Sequence, residues 1–315
     1  MIKKLFQLVL VCLLVFAFVG CNATTNNTTP ITTVAPSTPF VSQTQTTEQP
    51  SGTLSPITTP APTPTQSDPN VSKDLIIFDE GDITITAKSI DYDNWYGPSL
   101  IILIENNSST SVTVQTRNSA INGYMIDSLV SEQVAPGKKS VTDISFSASD
   151  MELCGITEVQ DIEFTFHIFN SDTWDTIIDS SPILLTTDVT GYTQVYDDSG
   201  LVLYDEDGIR IIAKNEVRIS STTGLDVFVY IENNTDHNIT VQTRDESVNG
   251  FMTSAIFSCD VLSGKKAVDD ISFMQSILDE NGITDIEEIE LRFHIFDSDT
   301  WDNNKDTDMI TISFK

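Results

Sequence analysis

The stretch "IEFTFHIFNSDTWD" at Ile162–Asp175 joins a strand-like run to an acidic loop. Its apolar residues occupy every second position of the first half: Ile162, Phe164, Phe166 and Ile168. A period of two directs one set of side chains into a core and the other set outward, which is typical of a β-strand. The polar residues that follow, ending in Trp-Asp, predict a turn.

The same stretch returns as "IELRFHIFDSDTWD" at Ile289–Asp302, 127 positions later. The offset is constant from "IENN" at Ile104 and Ile231 onward, so no insertion or deletion has entered this span. A period this long predicts two whole domains and not a solenoid of short repeats. We therefore predict domain 1 at residues 73–190 and its repeat, domain 2, at residues 198–315.

Alternating runs of the same kind recur along both copies, separated by short segments rich in Gly, Pro, Asn and Ser. One short helix interrupts each copy, with Ser149 or Ser276 as the predicted N-cap and Gly155 or Gly282 closing it in a left-handed conformation. Many short, evenly spaced strands predict an all-β fold. We expect two tandem antiparallel immunoglobulin-like β-sandwich domains.

The N-terminus predicts export. Two lysines precede an uncharged apolar stretch, Leu5–Val19, which is shorter than the roughly 20 residues of a membrane-spanning helix. Its end, "FVGC", resembles a bacterial lipobox. We interpret residues 1–20 as a lipoprotein signal peptide and Cys21 as the lipidated mature N-terminus, with an ordinary cleavage near Gly20 as the alternative. Two acyl chains on Cys21 are enough to hold a protein at a membrane.

Residues 21–72 consist largely of Thr, Pro, Ser, Asn and Gln, with scarcely a charge. A segment of this composition cannot bury enough apolar surface to offset its chain entropy. We predict a disordered Thr/Pro-rich linker that holds the domains clear of the anchor. Anchor, linker and domains together predict a protein attached by lipid to the cell membrane, on its extracellular face.

The shared pattern "IENN…TVQTR…NGYM…GKK…DISF…GIT…FHIF.SDTWD" on a lipidated stem resembles uncharacterised surface lipoproteins of clostridia and related Gram-positive bacteria. The resemblance covers both copies, nearly all of the folded chain. It implies extracellular domains that are immunoglobulin-like or telokin-like sandwiches. It implies a location and a fold, and it implies no catalytic residues.

The chain carries 46 acidic and 16 basic residues, a formal net charge of −30, and nearly all of the excess lies in the two domains. Nucleic acids and anionic lipid surfaces bind clustered Lys and Arg, so this charge excludes nucleic acid as a partner. Cationic partners or divalent ions fit it. The negative charge also fits a surface whose only effect is to keep the protein soluble.

The acidic loops are candidate calcium sites, because calcium binds six to eight oxygens from closely spaced carboxylates and carbonyls. The candidate ligands are Asp172, Asp175, Asp297, Asp299 and Asp302. The alternative is structural. Trp174 and Trp301 would fold back over the end of the sandwich, while Asp and Ser side chains bind the free amides of the turn. No cofactor other than calcium is predicted.

Domain 1 has an aromatic loop, "DYDNWYGPS", without a counterpart in domain 2. Trp95 and Tyr96 of this loop are candidate binding residues, as are Trp174 and Trp301, because Trp and Tyr often anchor interfaces. In the alternative interpretation, Trp95 packs against its own sandwich.

Signals for zinc, a nucleophile or a disulfide are weak. His167 and His294 are equivalent residues on a polar strand face, where surface exposure is expected, and with His237 they are too few for a zinc cluster. Cys154 and Cys259 do not align between the copies. Either a cross-link between the domains or two free thiols fits the sequence.

These signals favour a non-enzymatic surface lipoprotein that binds an extracellular protein, glycan or cell-wall component, or acts as a scaffold. The first alternative is a calcium- or small-ligand-binding sensor module that uses the acidic loops. The second alternative is a hydrolase built around one of the histidines, for which no nucleophile motif is present.

Overall fold

A computed structural model describes residues 70–220 and 224–314 of the chain. The predicted signal peptide, Cys21 and most of the predicted linker lie outside the described residues. No helix among the described residues is long and apolar enough to cross a membrane. Below, repeat 1 denotes residues 70–190 and repeat 2 denotes residues 198–314.

The described part of repeat 1 contains eleven strands and one short helix. The strands are β1 (Leu75–Glu80), β2 (Ile83–Asp91), β3 (Ser99–Asn106), β4 (Val112–Ile121), β5 (Tyr124–Met125), β6 (Ser128–Leu129), β7 (Ser131–Val134), β8 (Lys138–Phe146), β9 (Asp161–Asn170), β10 (Thr176–Asp179) and β11 (Ile183–Thr186). Helix α1 (Ala148–Leu153) lies between β8 and β9.

Repeat 2 has the same order of elements in its described residues. The strands are β12 (Leu201–Glu206), β13 (Ile209–Ser220), β14 (Gly224–Asn233), β15 (Ile239–Val248), β16 (Phe251–Met252), β17 (Ala255–Ile256), β18 (Ser258–Val261), β19 (Lys266–Met274), β20 (Glu288–Asp297), β21 (Lys305–Asp306) and β22 (Ile310–Ser313). Helix α2 (Gln275–Glu280) lies between β19 and β20.

The predicted all-β sandwich class is confirmed. Strands make up 57% and helices 5% of the described residues, and the strands of each repeat pair antiparallel. In repeat 1 the strands β1-β2-β3-β8-β6 form one sheet, and β10-β9-β4 belong to another. In repeat 2, β12-β13-β14-β19 are neighbours in one sheet and β15-β20-β21 in another.

The alternating residues of β9 and β20 face the core, as predicted. The buried side chains are Ile162, Phe164, Phe166 and Ile168 in β9 and Ile289, Leu291, Phe293 and Ile295 in β20. Those of β9 share one apolar core with residues of β2 and β3 in the other sheet of repeat 1. Full burial of such a side chain contributes about 1.5–3 kcal/mol, so these contacts hold the two layers together.

The helices begin earlier than predicted. Helix α1 is capped by the Ser147 hydroxyl, and helix α2 follows Met274, which offers no side-chain cap. The predicted caps, Ser149 and Ser276, are wrong because both residues already lie inside the helices. The glycines beyond the helix ends have the predicted positive φ: 62° at Gly155 and 69° at Gly282.

The two cysteines of the described chain are free thiols. Cys154 and Cys259 are both buried, and no disulfide joins them. Burial raises the pKa of the Cys154 thiol to about 12. Of the two possibilities left open by the sequence, the structure shows the free thiols.

The repeats meet at a pair of strands. Strand β5 of repeat 1 lies beside β19 of repeat 2, with Tyr124 opposite Lys266. This pair is parallel, in contrast to the other strand pairs of the described chain. Both repeats belong to one compact unit.

Candidate binding surface

The "SDTWD" loops close in the same way in both repeats. The side-chain oxygen of Asn170 accepts hydrogen bonds from the amides two and three residues later, at 2.9 and 3.1 Å. The carboxylate of Asp297 accepts the equivalent two bonds in repeat 2, both at 2.9 Å. An amide oxygen and a carboxylate oxygen are equivalent acceptors here. The loop therefore keeps its shape although the two copies differ at this position.

Each loop carries its Trp on the outer face of the sandwich. The indole of Trp174 stacks on the ring of Phe169, with centroids 5.4 Å apart and planes 17° apart. Trp301 stacks on Phe296 at 5.3 Å and 21°. Both Phe rings are buried, whereas Trp174 is 71% and Trp301 is 68% exposed. Each indole thus covers one Phe and leaves its other face to solvent, instead of closing the end of the sandwich.

Both Trp residues adopt a left-handed backbone conformation, with φ of 64° at Trp174 and 63° at Trp301. For a bulky residue this conformation costs on the order of 1–3 kcal/mol. The amide of each Trp donates to the carbonyl of Asn170 or Asp297, at 2.8 and 2.9 Å, which fixes the turn. A strained and largely exposed residue that occurs twice indicates a position kept for its side chain.

A histidine continues each aromatic pair along the strand. The ring of His167 lies 5.4 Å from that of Phe169, and the ring of His294 lies 5.3 Å from that of Phe296. Both imidazoles are buried, contrary to the expected exposure, because β10 and β21 pair with the strands that carry them. The aromatic strips, as we call them, are Trp174, Phe169 and His167 in repeat 1 and Trp301, Phe296 and His294 in repeat 2.

Charged groups border the histidine end of each strip. In repeat 1 the Nδ1 of His167 lies 2.6 Å from the Oδ1 of Asp179, and an Nη1 of Arg117 lies 3.9 Å from the same oxygen. The equivalent distances in repeat 2 are 2.7 Å for His294 to Asp306 and 3.7 Å for Arg244 to Asp306. Each strip therefore runs from an open indole to a carboxylate beside a guanidinium group.

Two carboxylates near the strip of repeat 2 are held in their ionised form. The hydrogen bond from His294 lowers the pKa of Asp306 below its ordinary value. The pKa of Asp297 is lowered chiefly because the amide of Thr300 donates to its carboxylate. Both groups are negatively charged at neutral pH, and each is already engaged with a neighbour.

The predicted calcium ligands differ in their surroundings. Asp297 is buried and binds the amides of its own loop. The other four side chains are exposed: Asp172, Asp175, Asp299 and Asp302. Within the described ranges, no three His, Cys, Asp or Glu side chains are grouped so as to hold a metal ion. Calcium binding by these loops stays a prediction.

The aromatic loop of repeat 1 projects into solvent. Trp95 is 89% exposed, and its indole meets the ring of Tyr96 edge-on at 5.7 Å. The interpretation that tucked Trp95 against its sandwich is therefore wrong. The Asn94 side chain ties this loop to Asp143 and Ser145 of β8. The loop thus belongs to the sheet opposite the one that bears the strip of repeat 1.

Two residues of each repeat that belong to the strips or border them were not predicted: Phe169 and Arg117 in repeat 1 and Phe296 and Arg244 in repeat 2. Asp179 and Asp306 belong to the acidic segments that suggested calcium, and the structure places them beside the histidines. The sequence signal for these residues is the internal repeat, because each residue named for repeat 1 has an identical residue 127 positions later in repeat 2.

No family model matches the chain, and no curated protein matches it. Among solved structures, the YadV chaperone is similar over 74% of this chain and 100% of its own, at 10% identity and a TM-score of 0.22. A protein of unknown function from Porphyromonas gingivalis W83 is similar over the same shares, at 7% identity and a TM-score of 0.20.

Proposed function

We propose that the chain is a lipid-anchored cell-surface protein that binds an extracellular partner through its two aromatic strips and catalyses no reaction. The observation that carries this proposal is the equivalence of Trp174 and Trp301, each exposed, strained and stacked on a buried Phe. Trp is usually well buried in a protein and is enriched where proteins bind partners.

The strips fit a neutral or cationic glycan. An open indole face offers a flat apolar surface for a sugar ring and attracts cationic groups. The carboxylates of Asp179 and Asp306 lie beside Arg117 and Arg244, so acceptors and donors for hydroxyl groups stand together. The net charge of −30 repels anionic polymers, which disfavours acidic polysaccharides.

Two equivalent strips in one chain suit a partner with repeating units. Once one strip is bound, the second binds at the effective concentration set by the chain and not by the solution. A polymeric glycan of the cell wall presents many equivalent sites. Loss of either strip should therefore weaken binding by far more than half.

Titration of the full chain with a neutral soluble β-glucan, with chitosan and with heparin tests the proposal. All three Trp residues of the chain are exposed, so intrinsic fluorescence reports directly on the surface. We expect the neutral or the cationic polymer to change the emission and heparin to leave it unchanged. The double variant Trp174→Ala/Trp301→Ala lacks the reporting indoles, so its binding is measured by sedimentation with purified cell wall, where it should stay unbound while the matched control Trp95→Ala sediments.

Two results would contradict the proposal. If the double variant still binds purified cell wall as the unaltered chain does, the strips are not the binding surface. If Trp95→Ala alone abolishes binding, the aromatic loop of repeat 1 is the site instead.

The anchor is tested separately. Cys21→Ser should prevent incorporation of labelled palmitate and release the protein into the medium, because the thiol is the proposed site of lipid attachment. Labelling of the variant at the level of the unaltered chain would remove Cys21 from the proposal.

A further inference from the structure

The contact between the repeats is made by two different surfaces. Repeat 1 contributes the docking hairpin, which we define as Asn122–Met125. The amide of Lys266 donates to the carbonyl of Gly123 at 3.0 Å, and the ring of Tyr124 lies 6.4 Å from that of Tyr230. Tyr124 is 1% exposed in this contact.

Repeat 2 contributes the face of a sheet. Four of its residues stand opposite one another across neighbouring strands, and we call them the receiving row: Val202, Ile212, Tyr230 and Val268. Val202, at the end of the row, remains 48% exposed, so repeat 1 covers only the other three. Ile212 and Tyr230 are fully buried and belong to the core of repeat 1, and Val268 packs against that core. The core of repeat 1 thus extends onto repeat 2.

The docking hairpin exists a second time, on repeat 2, where none of the described residues covers it. Asn249 and Gly250 have positive φ like Asn122 and Gly123, so the same tight Asn-Gly turn joins the strands. The side-chain oxygen of Asn249 accepts the amides of Glu287 and Glu288, as that of Asn122 accepts those of Gln160 and Asp161. The residues at the tip, Phe251 and Met252, are nevertheless 49% and 70% exposed.

The receiving row also exists a second time, on repeat 1. Its members stand opposite one another across β1, β2, β3 and β8: Ile76, Thr86, Leu103 and Val141. Ile76 and Val141 are exposed, Leu103 is half-buried and Thr86 is buried. Val141 is 66% exposed, whereas its counterpart Val268 is half-buried under repeat 1.

Charges repeat the same arrangement. At the contact between repeats, the Nζ of Lys265 lies 2.5 Å from a carboxylate oxygen of Glu163. The counterparts are Lys138 on repeat 1, beside its receiving row, and Glu290 on repeat 2, beside its docking hairpin. Neither forms an ion pair within the described chain. The charges of Lys138 and Glu290 are complementary, but the two residues lie on different repeats of the same molecule.

We propose that a second copy of this chain occupies these surfaces, with the docking hairpin of repeat 2 in one molecule placed on the receiving row of repeat 1 in the next. The contact repeats the strand pair and the charge pair already made between the repeats. Within the chain, Tyr196 of the connecting segment also packs on Tyr124 and Lys266, and this part of the contact is not repeated between copies. The contact joins two different surfaces and leaves one docking hairpin and one receiving row unoccupied on the resulting dimer. Further copies can therefore add head to tail. Thr86 and Leu103 replace Ile212 and Tyr230, which makes this contact weaker than the one within the chain.

Cysteine cross-linking of the full chain, kept below one chain per detergent micelle, tests the proposal. Tyr124 stands opposite Lys266 in the existing contact, so their counterparts Phe251 and Lys139 should stand opposite each other between copies. Strand neighbours lie about 4.8 Å apart, within the range of a disulfide. We expect Phe251→Cys and Lys139→Cys chains to form dimers when mixed and not when oxidised separately, and the double variant to form a ladder.

Exposed residues supply the matched controls. Met252→Asp and Val141→Asp should each abolish the ladder, because they place a charge in the apolar contact. Ile256→Asp should keep the ladder. Ile256 is exposed to a similar extent, but its counterpart in repeat 1, Leu129, is 56% exposed and is therefore not covered by repeat 2. The chain without introduced cysteines gives the background from native thiols.

Three outcomes overturn the proposal. The first is the absence of mixed dimers. The second is dimerisation of Phe251→Cys alone as fast as the mixture, which would show a contact between like surfaces. The third is resistance of the Lys139→Cys thiol to alkylation in the monomer, which would show that another segment of the same chain covers the row.

Discussion

Trp301 stacks on Phe296 at 5.3 Å while its own backbone holds a φ of 63°. The stacking and the backbone strain have a common origin, because the left-handed turn places the indole over the strand. Trp174 and Phe169 repeat it almost unchanged, at 5.4 Å and 64°. The position of the indole is therefore set by the conformation of the loop and does not require a bound partner.

Glycine should tolerate the backbone of this turn better than alanine. We expect Trp301→Gly to be more stable to urea than Trp301→Ala by about 1 kcal/mol, since a Cβ is disfavoured at positive φ. The third Trp supplies the control. Trp95 is not in this conformation, so Trp95→Gly should be no more stable than Trp95→Ala. Equal stability of the two Trp301 variants would show that the turn stores no strain.

The acceptor that closes each loop should be exchangeable between amide and carboxylate. Asn170→Asp and Asp297→Asn should both fold with near-normal stability, because one oxygen binds two amides in either case. Asn170→Ala should lose about 1–2 kcal/mol, since both amides lose their partner. Urea unfolding of the three variants measures this. An alanine variant as stable as the exchange variant would contradict it.

The same exchange should move a pH dependence from one loop to the other. The pKa of Asp297 is lowered in the folded chain, so its contribution is present above the ordinary value of about 4 and is lost as the pH falls below it. Asp297→Asn should flatten the loss of stability in acid, and Asn170→Asp should steepen it. Thermal melting between pH 3 and pH 6 tests this. Parallel curves for both variants would remove Asp297 from acid unfolding.

The fold was readable from the sequence because its signals are local and occur twice. The alternation in Ile162–Ile168 predicts which side chains enter the core without knowledge of the rest of the chain. The burial of His167 was not readable. It depends on β10 returning along β9, and the four residues Thr176–Asp179 give little periodic signal of their own.

The strips were only partly readable for a related reason. Their Trp residues stand out in the sequence, but their partners are set by register, which pairs Asp179 with His167 and Arg117 with Thr165. The contact between the repeats was hidden as well. Tyr124 and Phe251 are near-identical in sequence context and lie in opposite environments, because only the first meets another repeat.

Acid should favour the folded chain at the repeat boundary. A cavity of about 430 Å³ there is lined by Asp127, Asp150, Asp260, Asp269 and Asp270, with Arg117 as the basic group. Burial, with the charges of Asp270 and Asp127, raises the pKa of Asp269 to about 6. A raised carboxyl pKa means that the folded state holds the proton more tightly. Stability therefore falls as the pH rises from about 4 to about 6 and is level above that.

Asp269→Asn should reduce this loss, and the remainder comes from Asp127, whose pKa is also raised by burial and by the charge of Asp150. We expect the variant to match the unaltered chain at pH 4 and to exceed it by about 1–2 kcal/mol at pH 7.5, allowing for solvent screening of a half-buried group. Asp172→Asn, at an exposed loop position, controls for the change in net charge. A gain in stability that is the same at both pH values would show that the Asp269 carboxyl does not titrate in this window.

The two equivalent hairpin tips should differ sharply in their effect on stability. Tyr124→Ala removes a ring that lies 5.3 Å from Tyr196 and 6.4 Å from Tyr230, so we expect a loss of about 3–4 kcal/mol in urea. Phe251→Ala removes a half-exposed ring and should cost less than about 1 kcal/mol in dilute solution. Similar losses for both would mean that Phe251 is already packed within a single molecule. A large difference would show how much the packing on Tyr196 and Tyr230 stabilises the covered hairpin tip relative to the free one.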